Sequence, residues 1–252
     1  MIALGVSSRP NNRILGNLAN GDRELVEPHL EPVTLNFRQR LEAANSRIDK
    51  VCFIDAGLAS VIAVGGGGTR CRAEVAVVGR EGIIGVAAVL GADRCPHETF
   101  VQVAGHGRSI GTSVLQGLMQ KSRSLPACLM RYAYVFAVQA GHTALANAHG
   151  KIEERLARWL LMAHDRLEGD DLHLTHELLS TMLGVRRAGI TTALHELEKL
   201  ALISTARGCV TILDRSGLEQ SANGLYGVPE AEFERLFARP YCNVPPAQRA
   251  VE

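Results

Sequence analysis

Residues 174–214 set Arg187, Ala188, Thr191, Thr192 and His195 on one helical face. Ile190, Ala193, Leu194 and Leu197 recur at i, i+3, i+4 and i+7 on the opposite face, an apolar stripe of α-helical period. A face of small, polar and cationic groups suits close approach to a second surface better than plain solvation. Ahead of this helix, Leu178, Leu179, Met182 and Leu183 form the apolar face of a shorter one, and Gly184-Val185 supplies the turn. Two helices crossing at a short Gly-containing turn make a helix-turn-helix, whose second helix enters the major groove of DNA. Residues 202–205 and 210–213 flank Arg207-Gly208, the pattern of a hairpin behind the helix pair. The segment therefore predicts a winged helix-turn-helix. Net charge over the whole chain is only +1, so any affinity for DNA must rest on a local patch. Arg186, Arg187, Lys199 and Arg207 are placed to supply it.

Other chemistries find little support. Glycines 65–68 invite comparison with a phosphate-cradling loop, but Thr69-Arg70-Cys71 and a strand follow, not Gly-Lys-Ser/Thr and a helix. A hairpin tip is the expectation there. The six cysteines, Cys52, Cys71, Cys95, Cys128, Cys209 and Cys242, form no CxxC pair and fit a reducing compartment. Cys95-Pro96-His97 is a single C-x-H and reads as a surface loop. His176-Glu177 and His195-Glu196 lack the second histidine of a zinc-protease helix. No nucleophile–base pair stands out. Neither an enzyme, a metal site nor a cofactor is expected.

These residues need elements to position them. The 252-residue chain is long enough for two modest cores. No apolar run is long enough to span a membrane, and the start lacks the pattern of a secretory signal, so a cytoplasmic protein is expected. Residues 1–20 read as a polar arm, followed by a short helix leading into a strand. From Gln39 to about Ile110, short β-rich runs alternate with Gly-rich turns: 50–54, 60–64, 73–78 and 100–103. A helix is expected over 112–121, then a long one over about 126–148 that starts at Pro126. Leu129, Tyr132, Val135, Phe136, Gln139 and Thr143 lie along one side of it. That is more apolar surface than one domain face needs, and a second copy of the helix is the expected cover. After a hinge at residues 147–150, a helix over 151–167 turns Ile152, Leu156, Trp159, Leu160 and Ala163 inward, with Glu153, Glu154, Arg155 and Arg158 outward. Thr175 is the expected N-cap of the next helix, with Glu177 in its first turn. A last short helix starts at Pro229, with Phe233, Leu236 and Phe237 as its apolar face.

The order of these parts resembles the Crp/Fnr superfamily of bacterial transcription regulators. The resemblance rests on GKIEERLARWLLMAHDRL, residues 150–167, on residues 174–213, and more weakly on the Val78-Gly79-Arg80-Glu81-Gly82-Ile83-Ile84-Gly85 turn. It implies an α+β fold: an N-terminal β jelly-roll of the cyclic-nucleotide-binding type over 20–124, a dimerisation helix and hinge over 125–148, a Crp-type winged helix-turn-helix over 149–217, and a tail over 218–252. It implies a homodimer on a two-fold-symmetric site in double-stranded DNA, with half-sites roughly 34 Å apart. The family's recognition helix often begins Ser/Thr-Arg-Glu. Here Arg186-Arg187-Ala188 stand in its place, and Thr192 stands where another Arg is often found. Arg187 is left to bond a guanine edge, while Thr175, His176 and Arg186 at helix starts are placed to hold phosphate.

The family's cyclic-nucleotide receptors need a Glu for the ribose and an Arg-Ser/Thr pair for the phosphate. Val86-Ala87-Ala88 follow Gly85, and Pro96-His97-Glu98-Thr99 lie at the phosphate position, so cyclic-nucleotide binding is not expected. The family's iron–sulfur sensors carry an N-terminal cysteine cluster that is absent. The small-molecule effector stays unidentified, and RNA polymerase stays open as a partner. The competing reading is a small-molecule or haem-responsive receptor whose winged helix mediates protein interaction.

Overall fold

The fold is known from a computed structural model, which describes residues 11–66 and 72–238. The first ten residues of the expected arm, glycines 67 and 68 of the glycine-rich tip, Cys71, Cys242 and the end of the tail lie outside the described residues.

The N-terminal half is an antiparallel roll. Its strands are β1 (Glu31–Leu35), β2 (Arg40–Glu42), β3 (Lys50–Val64), β4 (Arg72–Val78), β5 (Ile83–Ile84) and β6 (His97–Gly111). The main path runs β1-β6-β3-β4, with β2 on β6 and β5 on β3. Residues 50–54 and 60–64, read above as separate strands, are the two ends of β3. Between them lies Gly57 at φ +100, where the register to β6 shifts repeatedly. A Cβ at Gly57 would stand 2.7 Å from the Val103 carbonyl oxygen. Glycine therefore bends one strand here instead of ending it. Leu35, Ile54, Val61, Val78 and Val101 fill the roll's interior.

The arm is not loose over its described part. Asn12 is fully buried and caps α1 (Arg13–Asn17) through Ile14 N–H and Leu15 N–H. Its side-chain amide donates to the carbonyls of Ile54 and Gly82 at 2.9 and 2.8 Å. Ile14 and Leu15 are buried beneath it. Then come α2 (Asn20–Val26), α3 (Val86–Val89) and α4 (Thr112–Lys121), the last with the bounds its sequence predicts.

The long helix α5 (Ser124–His149) lies across the roll. Leu125, Leu129, Tyr132 and Val135 share a core with Ile14, Phe53, Ile83 and Leu115. The Gln139 side-chain oxygen accepts from Val77 N–H at 2.7 Å, and the Thr143 hydroxyl accepts from Arg158 at 3.1 Å. Five of the six residues expected to meet a partner are therefore buried in their own monomer, and Phe136 is partly so. The stripe is real, but its cover is the roll and the C-terminal helix.

Beyond Gly150 stand α6 (Ile152–His164), β7 (Asp171–Leu172), α7 (His176–Leu183), α8 (Arg187–Lys199), β8 (Ile203–Ala206), β9 (Cys209–Ile212), α9 (Arg215–Ser221) and α10 (Val228–Phe237). Leu156, Leu160, Leu179, Ile190, Leu194 and Leu197 build this core, which also takes in Leu58, Ile62 and Val77 of the roll. Polar contacts tie the halves together, two of them deep in the junction. Trp159 Nε1 donates to the buried Glu74 carboxylate at 2.6 Å, and Gln102 Nε2 donates to Met182 Sδ at 3.3 Å. Arg158, expected outward, is buried, and its guanidinium bonds Leu225 O and the Thr143 hydroxyl. Finally α10 returns to the N-terminus. Phe233 and Phe237 stack at 4.6 Å within the α1–α5 core, and Arg13 pairs with Glu234 at 2.7 Å.

Candidate nucleic-acid interface

The helix pair is set by its turn and its caps. Thr175 caps α7 by accepting from Leu178 N–H at 3.2 Å. Gly184 ends α7 at φ +64, the left-handed conformation a helix C-terminus favours. Arg155 of α6 donates to the Leu183 carbonyl, satisfying one of the last orphan acceptors of α7. Arg155 was expected outward, and nothing in local spacing reveals this contact. Burial pushes its pKa below the ordinary arginine value.

The apolar face of α8, Ile190, Ala193, Leu194 and Leu197, is buried, as its spacing requires. Arg186, Arg187, Ala188, Thr192, His195 and Lys199 are exposed on the other side. Thr191 is half-buried. Its hydroxyl bonds Arg187 O and faces His176 Nδ1, both at 3.2 Å, so it braces α8 against α7. Thr192 folds its hydroxyl back to Ala188 O at 3.2 Å. Arg207 stands exposed at the tip of the β8–β9 wing, where Gly208 adopts φ +75. The wing has a third strand that the sequence reading missed, since β7 pairs with β9 through only two residues.

Charge on this face is uneven. Lys199 pairs with Glu196 at 2.6 Å, and His195 sits 3.3 Å from Glu198. Arg186, Arg187 and Arg207 make no ion pair among the described residues and are its uncommitted cations. Glu198 does a second job. It accepts from Thr205 N–H at 2.7 Å and from the Thr205 hydroxyl at 2.6 Å, tying α8 to β8. These bonds, first the hydroxyl's, hold its carboxyl below the usual range.

Beside Val86-Ala87 and Pro96-His97, the segments the family resemblance compares with a nucleotide site, lies a cavity of about 250 Å³. Its walls are largely apolar, including Ile84, Leu90 and Phe136, with Glu42, Cys95 and His97 as polar members. No Lys or Arg is among the described residues lining it. Burial raises the pKa of Glu42 and Cys95 and lowers that of His97. A buried phosphate would meet no cation there. Among the described residues no group of three or more His, Cys, Asp or Glu side chains is placed to hold a metal ion.

An antiparallel roll, a long helix and a three-stranded winged helix-turn-helix with an exposed second helix define a two-domain fold. Residues 154–221 match the family model of the Crp-like helix-turn-helix domain. Similar solved structures cover most of the chain. A Crp/Fnr-family transcriptional regulator from Eubacterium rectale is 15% identical with a TM-score of 0.65, over 84% of this chain and 98% of that one. FixK2 from Bradyrhizobium japonicum is 14% identical with a TM-score of 0.66, over 79% and 98%. The c-di-GMP-responsive global regulator CLP from Xanthomonas campestris is 17% identical with a TM-score of 0.60, over 77% and 99%. No curated protein sequence matches. The chain thus carries a Crp-like helix-turn-helix domain within the Crp/Fnr fold.

Proposed function

We propose that the chain is a sequence-specific DNA-binding transcription regulator that works as a homodimer. The observation that carries this is α8. Its outward face is exposed among the described residues and is flanked by the uncommitted Arg186, Arg187 and Arg207. Arg187 is the base-reading residue, bidentate to a guanine. Arg186, Arg207 and the N-cap region of α7 at Thr175 hold phosphate, while His176 and Thr191 set the helix angle. Thr192 and Ala188 offer methyl groups, which suit a thymine edge. Lys199 and His195 contribute only where DNA draws them from Glu196 and Glu198.

The dimer seam of this proposal is not the stripe the sequence points to. Met130 and Tyr134 are 50% and 53% exposed on the far side of α5. Ala137, Gly141, Ala144 and Ala148 continue that exposed line. The two sets 130/137/144 and 134/141/148 each repeat every seven residues, the period of a coiled coil. Small residues toward its C-terminal end let two helices approach closely where the DNA-binding halves begin. The domain boundaries belong to the same proposal: a roll ending near 124, the seam helix, and a reading domain after Gly150.

The test is binding of the full chain to a mixed-sequence duplex across a salt series. The expected result is an affinity falling linearly in log–log form, with a slope set by the phosphates engaged. Binding without salt dependence, or none at low salt, contradicts the proposal.

A further inference from the structure

A second cavity has walls from both halves of the chain. Its volume is about 270 Å³, and it lies where the β4–β5 turn, α5, the end of α6 and α10 meet. Four aromatic rings line it: Tyr132, Phe136, Tyr226 and Phe233. The family match ends at residue 221, so Tyr226 and the α10 wall lie beyond it.

Most charges around the cavity are already matched. Arg166 pairs with Glu81 at 2.7 Å and Arg13 with Glu234 at 2.7 Å. Asp165 accepts from Arg215 and from the Tyr226 hydroxyl, each at 2.7 Å. Two lining groups of opposite sign remain. Arg80, on the turn, has no carboxylate partner among the described residues; its guanidinium reaches only the Asp165 carbonyl at 3.4 Å. Glu230, on α10, spends one oxygen on Gly227 N–H at 3.2 Å, and its Oε1 is buried with no hydrogen-bond partner among the described residues. Arg158 and Arg166 feel the Glu230 charge, but their own hydrogen bonds go elsewhere.

A buried carboxylate oxygen without a donor is costly, and an ammonium relieves it with a charge-assisted bond. Aromatic faces favour the same cation. Arg80 offers the opposite pole a bidentate fork. The volume sits below the range for drug-sized ligands, so the guest is small. We propose that this cavity binds a small zwitterion of the free amino-acid class, its ammonium on Glu230, its carboxylate on Arg80 and its side chain among the aromatic rings. Because the walls come from the roll, from α6 and from α10, such a ligand clamps the two halves at one angle. The proposal is independent of DNA binding.

The test is the thermal midpoint of the full chain with each of the twenty L-amino acids in millimolar excess. At least one should raise the midpoint by about 5 °C when present at roughly a hundred times its Kd. Its decarboxylated amine and its deaminated acid should each give less than about half that gain. Glu230→Gln keeps the bond to Gly227, and Arg80→Gln alters a partly exposed turn. In each, the gain over the variant's own ligand-free midpoint should fall to about 1 °C or less. No response to any of the twenty, equal stabilisation by amine or acid alone, or an undiminished gain in both variants would overturn the assignment.

Discussion

Arg187 and Arg207 belong to different elements, and their loss should read differently. Arg187 leads α8, so Arg187→Ala should cost about 1–3 kcal/mol on the preferred site and relax discrimination at one base pair. Arg207 stands on the wing and contacts phosphate in the proposal. Arg207→Ala should weaken binding by a similar factor on every sequence and lower the salt slope by about one. Fluorescence anisotropy on matched and mismatched duplexes separates the two patterns; identical behaviour would dissolve the distinction between reading and positioning. Glu198 gives a pH prediction. Its carboxyl is held low by Thr205, so its contribution to the wing is present above the ordinary carboxylate range and is lost as pH falls through its depressed value. Glu198→Gln should flatten the acid side of the wing's amide-exchange protection between about pH 3 and 5. Both cations were legible in the sequence as exposed residues near a helix start and a Gly turn. The Glu198–Thr205 tie was not, since it joins residues whose contact depends on how the hairpin folds back.

Among the elements, α5 shows where periodicity stops being informative. The stripe of Leu129, Tyr132, Val135, Gln139 and Thr143 was readable, but spacing alone does not say what covers it. The roll and α10 do, and α10 lies about a hundred residues further along the chain. The opposite line of Met, Tyr, Ala and Gly has so few large side chains that it barely registers as a face. Two variants separate the faces. Leu129 is fully buried, so Leu129→Ala should lower the thermal midpoint by roughly 5–15 °C with no change of oligomeric state of the folded protein. A Cβ at Gly141 meets nothing within 4 Å among the described residues. Gly141→Glu should therefore leave the monomer's fold intact and shift sedimentation at about 10 μM from dimer to monomer, as a charge buried in a seam must. A dimer that survives this change would place the interface elsewhere. Strand β3 teaches the same lesson from the other side: 50–54 and 60–64 read as two strands, yet Gly57 makes a bulge between them, because the partner strand β6 continues past it.

At the scale of the molecule, the C-terminal half rests against the roll, and Glu74 sits at that junction. Burial, only partly offset by the bonds from Ser60 and Trp159, pushes its pKa up to about 7. A raised carboxylate favours the native arrangement in its protonated form. Its contribution is complete below the ordinary value of 4.5 and is lost as pH rises through about 7. The thermal midpoint should accordingly fall between about pH 5 and 8, and Glu74→Gln should flatten that fall. The antiparallel roll, the helix order and the winged helix-turn-helix were legible because each is written in local period and turn residues. How the halves meet was not, because Arg158, Trp159 and Glu74 act across the domain junction.

The central claim is that two copies of α8 read a symmetric site. Selection of bound duplexes from random sequence by the full chain tests it most directly. The expected outcome is an enriched inverted repeat, with half-site centres about one helical turn apart and a guanine at the Arg187 position that Arg187→Ala no longer enriches. No enriched motif, or an unpaired half-site enriched as strongly as the repeat, would contradict it.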